Sequence, residues 1–363
     1  MDLCADQLLA HLPAVAAGLV PVDFATPFRR RIQRIPILGR RPSAFNADRL
    51  FNRHLTLPRA LVRAAGFELY HVVDHSYAHV VRALPPGRAG VYCHDVDAFR
   101  SLLDPAKDPR PPWFRRLAGR TLAGLRAAAV VFHNSGEVGR QLAGTGLVPP
   151  DRLVHAPLGV AAEFSPAPGI PVEPVVPALA GQPYLLHVGS NISRKRLDVL
   201  LDVFAALRSR FTRLRLVQVG GPWPADLAAR IERLGIGGAV TQVRGLSRAQ
   251  LARLYREAAV VLVPSEAEGF ALPVIEALAC GAVVVTSDLP VLREVASSAA
   301  VYCGTADIAA WVKAVGRILA DSGNAPPRSV RLKQAAGYSW QAHARIIGAT
   351  YLKLLGVPCD SSS

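Results

Sequence analysis

Two glutamates and two cations offer the clearest chemistry in this sequence. Glu268 and Glu276 stand in Pro264-Ser-Glu-Ala-Glu-Gly-Phe-Ala-Leu-Pro-Val-Ile-Glu276. A β-branched run, Ala259–Val263, precedes them and is short enough for a buried parallel strand. Pro273 suits the first position of a helix, where a missing N–H costs nothing. Gly281 closes that helix, and Ala282–Thr286 reads as the next strand. Glu268, with Glu266 beside it, then lies in a loop at a strand's carboxyl end, and Glu276 lies one turn into the following helix. The N–H groups of a helix start point into such a loop and favour anions and hydroxyl-rich ligands. A carboxylate one turn in accepts hydrogen bonds from vicinal hydroxyls, as acidic residues do for ribose. An ordinary βαβ unit with surface glutamates would carry the same pair.

The cations come earlier, in Gly189-Ser-Asn-Ile-Ser-Arg-Lys-Arg-Leu-Asp198. A strand ends in Gly189, and a polar loop presents Arg194 and Lys195 at the start of a helix expected over Arg194–Arg208. Cations at that end oppose the helix dipole. A diphosphate between them would remove the penalty by accepting from both side chains and from the helix N–H groups. A solvated basic cluster is the plainer reading of the same residues.

The elements that must hold these groups follow an alternating pattern. Strand-like runs fall at Tyr184–Gly189, Leu214–Gly220, Val240–Gly245, Val260–Val263, Val283–Thr286 and Ala300–Cys303. Helical patterns follow at Arg194–Arg208, Ala225–Leu234, Arg248–Ala258, Pro273–Ala279, Pro290–Ala296 and Ile308–Ala320. This predicts a Rossmann-like parallel sheet, but no G-x-G-x-x-G follows any strand, which argues against a nicotinamide enzyme. Asp321–Arg331 reads as a gap, Gln341–Leu355 as an amphipathic helix, and Asp360–Ser363 as a frayed tail.

The first half is weaker. It opens on a helix, Leu3 to Leu12, rather than a strand. Leu19–Ala25 reads as a strand, Ala44–Ala65 as a helix, Glu68–Val73 and Gly90–Cys93 as strands, Trp113–Ala127 as a helix, Ala128–Phe132 as a strand, Ser135–Ala143 as a helix and Leu153–Pro157 as a strand. His94, just after Cys93, falls at the carboxyl end of a strand, where open sheets bind ligands. A structural histidine bonding a loop carbonyl explains it equally well. His71, Asp74 and His75 are weaker candidates for the same edge. Ser165–Pro183 holds six prolines without periodicity and reads as a linker. The expected organisation is therefore a first domain at 1–164, a linker at 165–183, a second domain at 184–335 and a C-terminal segment at 336–363.

Composition bounds the partners. The chain has 363 residues, 51% hydrophobic and 19% charged, enough for two globular domains. No apolar run is long enough to span a membrane. Leu12–Val22 is interrupted by Pro13 and Pro21 and lacks preceding basic residues, which argues against a signal peptide. Cys4, Cys93, Cys280, Cys303 and Cys359 are scattered, which predicts reduced thiols and no metal site. The net charge of +15 suits nucleic acid, anionic membranes or phosphorylated substrates. No nucleic-acid motif is present. Six arginines interleave with Phe28, Ile32, Ile35, Ile37 and Leu38 across 28–41, a mixture suited to an anionic membrane surface, and Arg110–Arg116 has the same character. A solvated loop with stray arginines fits equally.

The string E-G-F-A-L-P-V-I-E-A-L-A-C-G, from Glu268, resembles the E-x7-E signature of retaining nucleotide-sugar glycosyltransferases of family 4. The resemblance implies an α/β GT-B fold, with two Rossmann-like parallel-sheet domains facing across a cleft. It implies that Glu268 faces the transferred sugar together with the N–H groups of Phe270, Ala271 and Leu272, and that Glu276 holds ribose. Arg194 and Lys195 would neutralise the donor diphosphate beside Gly189, Gly245 and Leu246 would read the base, and His94 would face the sugar. Family members often carry Arg where this chain has Ser190, and they typically begin with a strand and a Gly-rich turn, so the first domain looks one strand short. The last helix is expected to cross back onto the first domain. The resemblance further implies a UDP- or GDP-sugar donor, a glycan or lipid-linked acceptor in cell-surface polysaccharide synthesis, front-face displacement with retention, and no cofactor or metal. The expected location is cytoplasmic, peripheral to the membrane's inner face. A donor-binding protein without turnover and a sugar-nucleotide epimerase remain the other classes.

Overall fold

The computed structural model describes residues 2–24, 26–37, 41–63, 66–167, 175–176, 179 and 181–357. The chain forms two compact units, one from Met1–Pro157 with Trp340–Ser363 and the other from Leu158–Ser339. Much of the expected linker lies outside the described residues, as does Cys359.

The first unit holds a parallel sheet of β1 (Tyr70–Val72), β2 (Ala89–Cys93), β3 (Val130–His133) and β4 (Leu153–His155), in that spatial order. β2 and β3 are buried along their whole length. Runs such as Val130-Val-Phe-His lack polar alternation and suit a sheet covered on both faces. The helices are α1 (Asp2–Val15), α2 (Pro42–Phe51), α3 (Leu57–Arg63), α4 (Arg100–Leu103), α5 (Pro112–Ala127) and α6 (Gly136–Gly144). Val91, Phe99, Leu125, Val131 and Leu142 form the core between sheet and helices.

Two expectations fail in this unit, and one element was not anticipated. Residues 19–24 form no strand; Val20 is 87% exposed, and the sheet pairs β1 to β4 only. The single helix expected over Ala44–Ala65 is broken by a π turn at Asn52–Thr56, which joins α2 to α3. Pro58 lacks the N–H that would continue the ladder, and the π turn sits just before it. His75–Ala83 is a nine-residue 3-10 helix with no helix-period signal in the sequence. It lies against α5 because Gly124 has no side chain: a Cβ there would stand 2.0 Å from the Ala78 carbonyl oxygen. Among the described residues, no strand precedes β1.

The second unit holds six parallel strands in the order β10-β9-β8-β5-β6-β7: β5 (Tyr184–Val188), β6 (Arg215–Val219), β7 (Val240–Val243), β8 (Val260–Val263), β9 (Val284–Ser287) and β10 (Val301–Cys303). Its helices are α7 (Leu197–Arg208), α8 (Ala225–Arg233), α9 (Arg248–Glu257), α10 (Leu272–Ala279), α11 (Pro290–Ala296), α12 (Ile308–Ala320) and α13 (Arg328–Ala336). The last of these occupies the end of what read as a gap. α10 begins at Leu272, one residue before Pro273. The final helix, α14 (Trp340–Leu354), belongs to the first unit and packs on α1.

The strand order reverses at β5: β6 and β7 lie on one side and β8 on the other. The loops leaving the carboxyl ends of β5 and β8 therefore diverge there and open the crevice where such sheets bind ligands. These loops carry Arg194, Lys195 and Glu268.

Candidate functional site

The two loops are clipped together. The Glu266 N–H donates to the Arg194 carbonyl at 2.8 Å, and Arg194 Nη1 donates to the Ala267 carbonyl at 2.7 Å. Lys195 Nζ donates to Glu268 Oε1 at 2.6 Å, and Arg194 Nη1 stands 3.5 Å from Oε2. The Glu268 side chain is 5% exposed, so a lone carboxylate there would be costly. Ser265 Oγ, fully buried, also donates to Oε1 at 2.7 Å. Two cations thus meet one carboxylate, while Arg196 pairs with Asp198 and Glu266 on the same two loops.

The expected placement of these cations is corrected in one respect. Ser193–Lys195 is a 3-10 turn that ends in left-handed Arg196 (φ 49°), and α7 begins only at Leu197. Arg194 and Lys195 therefore precede the α-helix, and Glu268 already offsets their charge. Asp198 stands in its first turn instead, paired with Arg196 at 2.9 Å.

Glu276 sits one turn into α10, largely buried. Tyr255, from α9, donates its hydroxyl to Oε2 at 3.1 Å. Burial raises the carboxyl pKa to about 7, against the opposing pull of the Tyr255 hydroxyl and Arg248. Ala271, the N-cap of α10, is left-handed at φ 66°, a conformation disfavoured for any residue with a Cβ. The Val274 N–H is already taken by the Ala271 carbonyl at 2.9 Å. Phe270 is buried edge-on to Tyr338, with ring centroids 5.5 Å apart.

A row of amides lies under the neighbouring strand ends. Gln242 Nε2 donates to Gln218 Oε1 at 2.8 Å, and Gln218 Nε2 donates to Asn191 Oδ1 at 3.1 Å and to the Gly189 carbonyl at 3.0 Å. Gln218 is fully buried. This relay fixes the first turn of the loop that begins at Gly189. Gly245 is left-handed (φ 70°) between β7 and the Ser247 capping box of α9, with Leu246 half-buried beside it.

The first unit places His94 just beyond β2. Its Nε2 donates to the Val73 carbonyl at 2.9 Å, and its own N–H donates to His75 Nδ1 at 3.2 Å. One ring nitrogen is thus committed to a loop carbonyl, as the structural alternative for His94 requires. His75 is buried within 3.6 Å of Asp74 and 3.7 Å of Asp95. Asp74 caps the 3-10 helix by accepting from the Ser76 N–H at 2.8 Å. His71 lies mid-strand, with Nδ1 2.7 Å from the Tyr351 hydroxyl of α14, so it serves helix docking rather than the strand edge.

Ser265, Tyr255 and Gln218 were not visible as site residues in the sequence. Ser265 lies three positions before Glu268, the one local signal available. Tyr255 and Gln218 arrive from other elements and had none.

Residues 173–337 match the family described as glycosyl transferases group 1. A D-inositol 3-phosphate glycosyltransferase of Stackebrandtia nassauensis is 30% identical over 276 residues, 68% of this chain and 58% of the relative. The O-antigen chain mannosyltransferase B of Escherichia coli is 30% identical over 200 residues, 53% of this chain and 52% of the relative. The chain thus spans little more than half the length of these curated relatives. Among solved structures, sucrose-phosphate synthase of Thermosynechococcus elongatus superposes with a TM-score of 0.68 at 21% identity, over 90% of this chain and 83% of that one. Anabaena HepE in complex with UDP and glucose superposes at 0.67 and 16% identity, over 83% and 82%. The fold is GT-B, and residues 173–337 are a glycosyl transferases group 1 domain.

Proposed function

We propose that the chain is a glycosyltransferase that takes a sugar from a nucleotide-diphosphate donor bound to the second unit. The observation that carries this reading is the Lys195–Glu268–Arg194 cluster at the strand-order reversal, with Glu276 one turn into the adjoining helix, inside the matched family domain. Arg194 and Lys195 stabilise the leaving diphosphate, where negative charge develops. Glu268 orients sugar hydroxyls with the N–H groups of Phe270, Ala271 and Leu272. Glu276 accepts from the ribose, and Gly245 and Leu246 border the base. Configuration is retained by front-face displacement through an oxocarbenium-like state, the departing phosphate taking the acceptor proton.

The acceptor is a glycan or glycolipid of the cell surface. Support comes from the mannosyltransferase relative and from the surface of the first unit. Phe28, Ile35 and Ile37 are 45%, 45% and 81% exposed among arginines. Buried Asp48 accepts from the N–H groups of Arg31, Ile32 and Gln33 at 3.0, 2.8 and 3.0 Å and holds this segment in place. Such a surface docks on anionic lipid. Leu38, Gly39 and Arg40 of the expected patch lie outside the described residues, and no described helix is long and apolar enough to cross a membrane. Sedimentation with anionic vesicles at low salt, lost at high salt, is the expected result.

The test of the donor site is thermal unfolding with UDP, GDP and ADP, on wild type and on Glu276→Ala. A nucleotide at ~100 times its Kd adds about 2.7 kcal/mol. One nucleotide that stabilises wild type alone establishes the site and its base. No shift with any of the three removes the donor role of these residues. Donor binding without transfer to any acceptor would leave a nucleotide-sugar-binding protein, and conversion of the donor to an epimeric nucleotide sugar without net nucleotide release would mark an epimerase.

A further inference from the structure

The first unit contains a second polar site, away from the strand carboxyl ends. A cavity of about 300 Å³ is lined by His54, Pro58, His79, Arg82, Ala83 and Arg120. The two histidines form its inner part, with rings 4.3 Å apart, and exposed Arg82 and Arg120 stand at its rim. No carboxylate lines it.

Its polar groups are incompletely satisfied. His79 is only 8% exposed; its Nε2 donates to the Arg53 carbonyl at 2.9 Å, while its Nδ1 has no partner. His54 Nδ1 and Arg53 Nε are likewise buried without partners. Buried polar atoms normally find partners, so two such histidine nitrogens lining one cavity call for a ligand. The π turn at Asn52–Thr56 carries both His54 and Arg53, and π turns recur at functional sites. No third His, Cys, Asp or Glu completes a metal-ligand set among the described residues.

We propose that this pocket binds a phosphate monoester. Its two arginines offer the planar donors that match phosphate oxygens. With Nε2 of His79 committed as a donor, Nδ1 of the neutral ring is an acceptor. It becomes a donor to the anion by taking up a proton, or it accepts from a phosphate P–OH. The arginines around the histidines attract an anion but oppose the imidazolium unless an anion is bound. Burial, then the neighbouring ring, then Arg53 and Arg120 hold His54 near pKa 4, and burial also depresses His79. Arg49 faces Arg53 from α2, while Asp74 and Tyr77 offset part of that charge from the 3-10 helix, Tyr77 with its ring 4.5 Å from the guanidinium. A bound anion reverses the depression.

The experiment is calorimetric titration of the full chain with inorganic phosphate and with sulfate, which stays a dianion at pH 6 and pH 8. Sulfate is expected to bind about tenfold more tightly at pH 6, with heats that vary with buffer ionisation because the histidines take up protons. Arg120→Gln and Arg82→Gln, both exposed changes, each weaken binding about tenfold. His54→Gln reduces proton uptake. Arg88→Gln, an exposed arginine outside the pocket, changes nothing. Vesicles of phosphatidylcholine with phosphatidic acid separate the sources. Capture that Arg120→Gln abolishes identifies a lipid headgroup; phosphate binding without capture identifies a soluble ester. No binding of either anion and no such capture overturns the proposal, as does an affinity indifferent to pH or to Arg120→Gln.

Discussion

Lys195 Nζ and Glu268 Oε1 stand 2.6 Å apart, on loops that leave two adjacent parallel strands. The pair ties together the two walls of the crevice: Glu268 is the counter-charge of largely buried Lys195, and Lys195 is the nearer of the two cations that compensate Glu268. Removing one therefore does more than remove one contact.

Lys195→Met and Glu268→Gln are each expected to cost about 3 kcal/mol of stability, because each leaves the other charge poorly compensated. The double variant should cost clearly less than the sum. Urea unfolding of the four proteins measures the coupling, and strictly additive losses would falsify the claim that the pair works as a unit. On the proposed function, all three variants lose sugar transfer.

Glu276 makes the stability of the second unit pH-dependent. Its folded pKa, about 7, lies above the 4.5 it takes when free. The folded state therefore holds the extra proton between those values. The contribution is fully present below pH 4.5 and is lost as pH rises through 7, by about 3 kcal/mol. Glu276→Gln removes that slope, so the variant should gain on wild type between pH 4.5 and 8. Denaturant midpoints across that range measure it. If the carboxylate is the form that accepts from ribose, nucleotide affinity should rise over the same interval in wild type only.

Tyr255→Phe removes the hydroxyl that favours the ionised form of Glu276. A loss of about 1 kcal/mol is expected. The more telling readout is the midpoint of the pH dependence, which should move upward. A midpoint that stays in place would show that the hydroxyl does not tune the carboxylate.

Ala271 is held left-handed at the start of α10. Glycine is at ease there, whereas a β-branched residue is not. Ala271→Val should destabilise by roughly 2 kcal/mol or more, with Ala271→Gly close to neutral. Equal thermal midpoints for the two variants would contradict the assignment.

The second unit was nearly all legible in the sequence. Runs such as Val260-Val-Leu-Val have one plausible use, a strand buried on both faces, and the Pro273 and Gly281 signals bracketed α10 within a residue. Glu268 and Glu276 were found because their spacing is local. The pairing of Glu268 with Lys195 was not, since it depends on which strands lie side by side. The first unit was harder to read. Leu19–Ala25 has strand composition, but strand formation needs a partner edge, which composition does not report. The π turn hid inside a good helical pattern, and the 3-10 helix at His75–Ala83 depends on Gly124, some forty positions away. The pocket that both help to form had no sequence signature.

The helix Trp340–Leu354 has a consequence for the order of events during synthesis. The second unit is one continuous stretch, whereas the first is assembled from both ends of the chain. A ribosome delivers all of the second unit before it delivers the helix that covers α1. The second unit therefore has everything it needs to fold while the first still waits for this helix. Loss of that helix would leave Leu8, Leu12 and Ala16, now buried, without their cover.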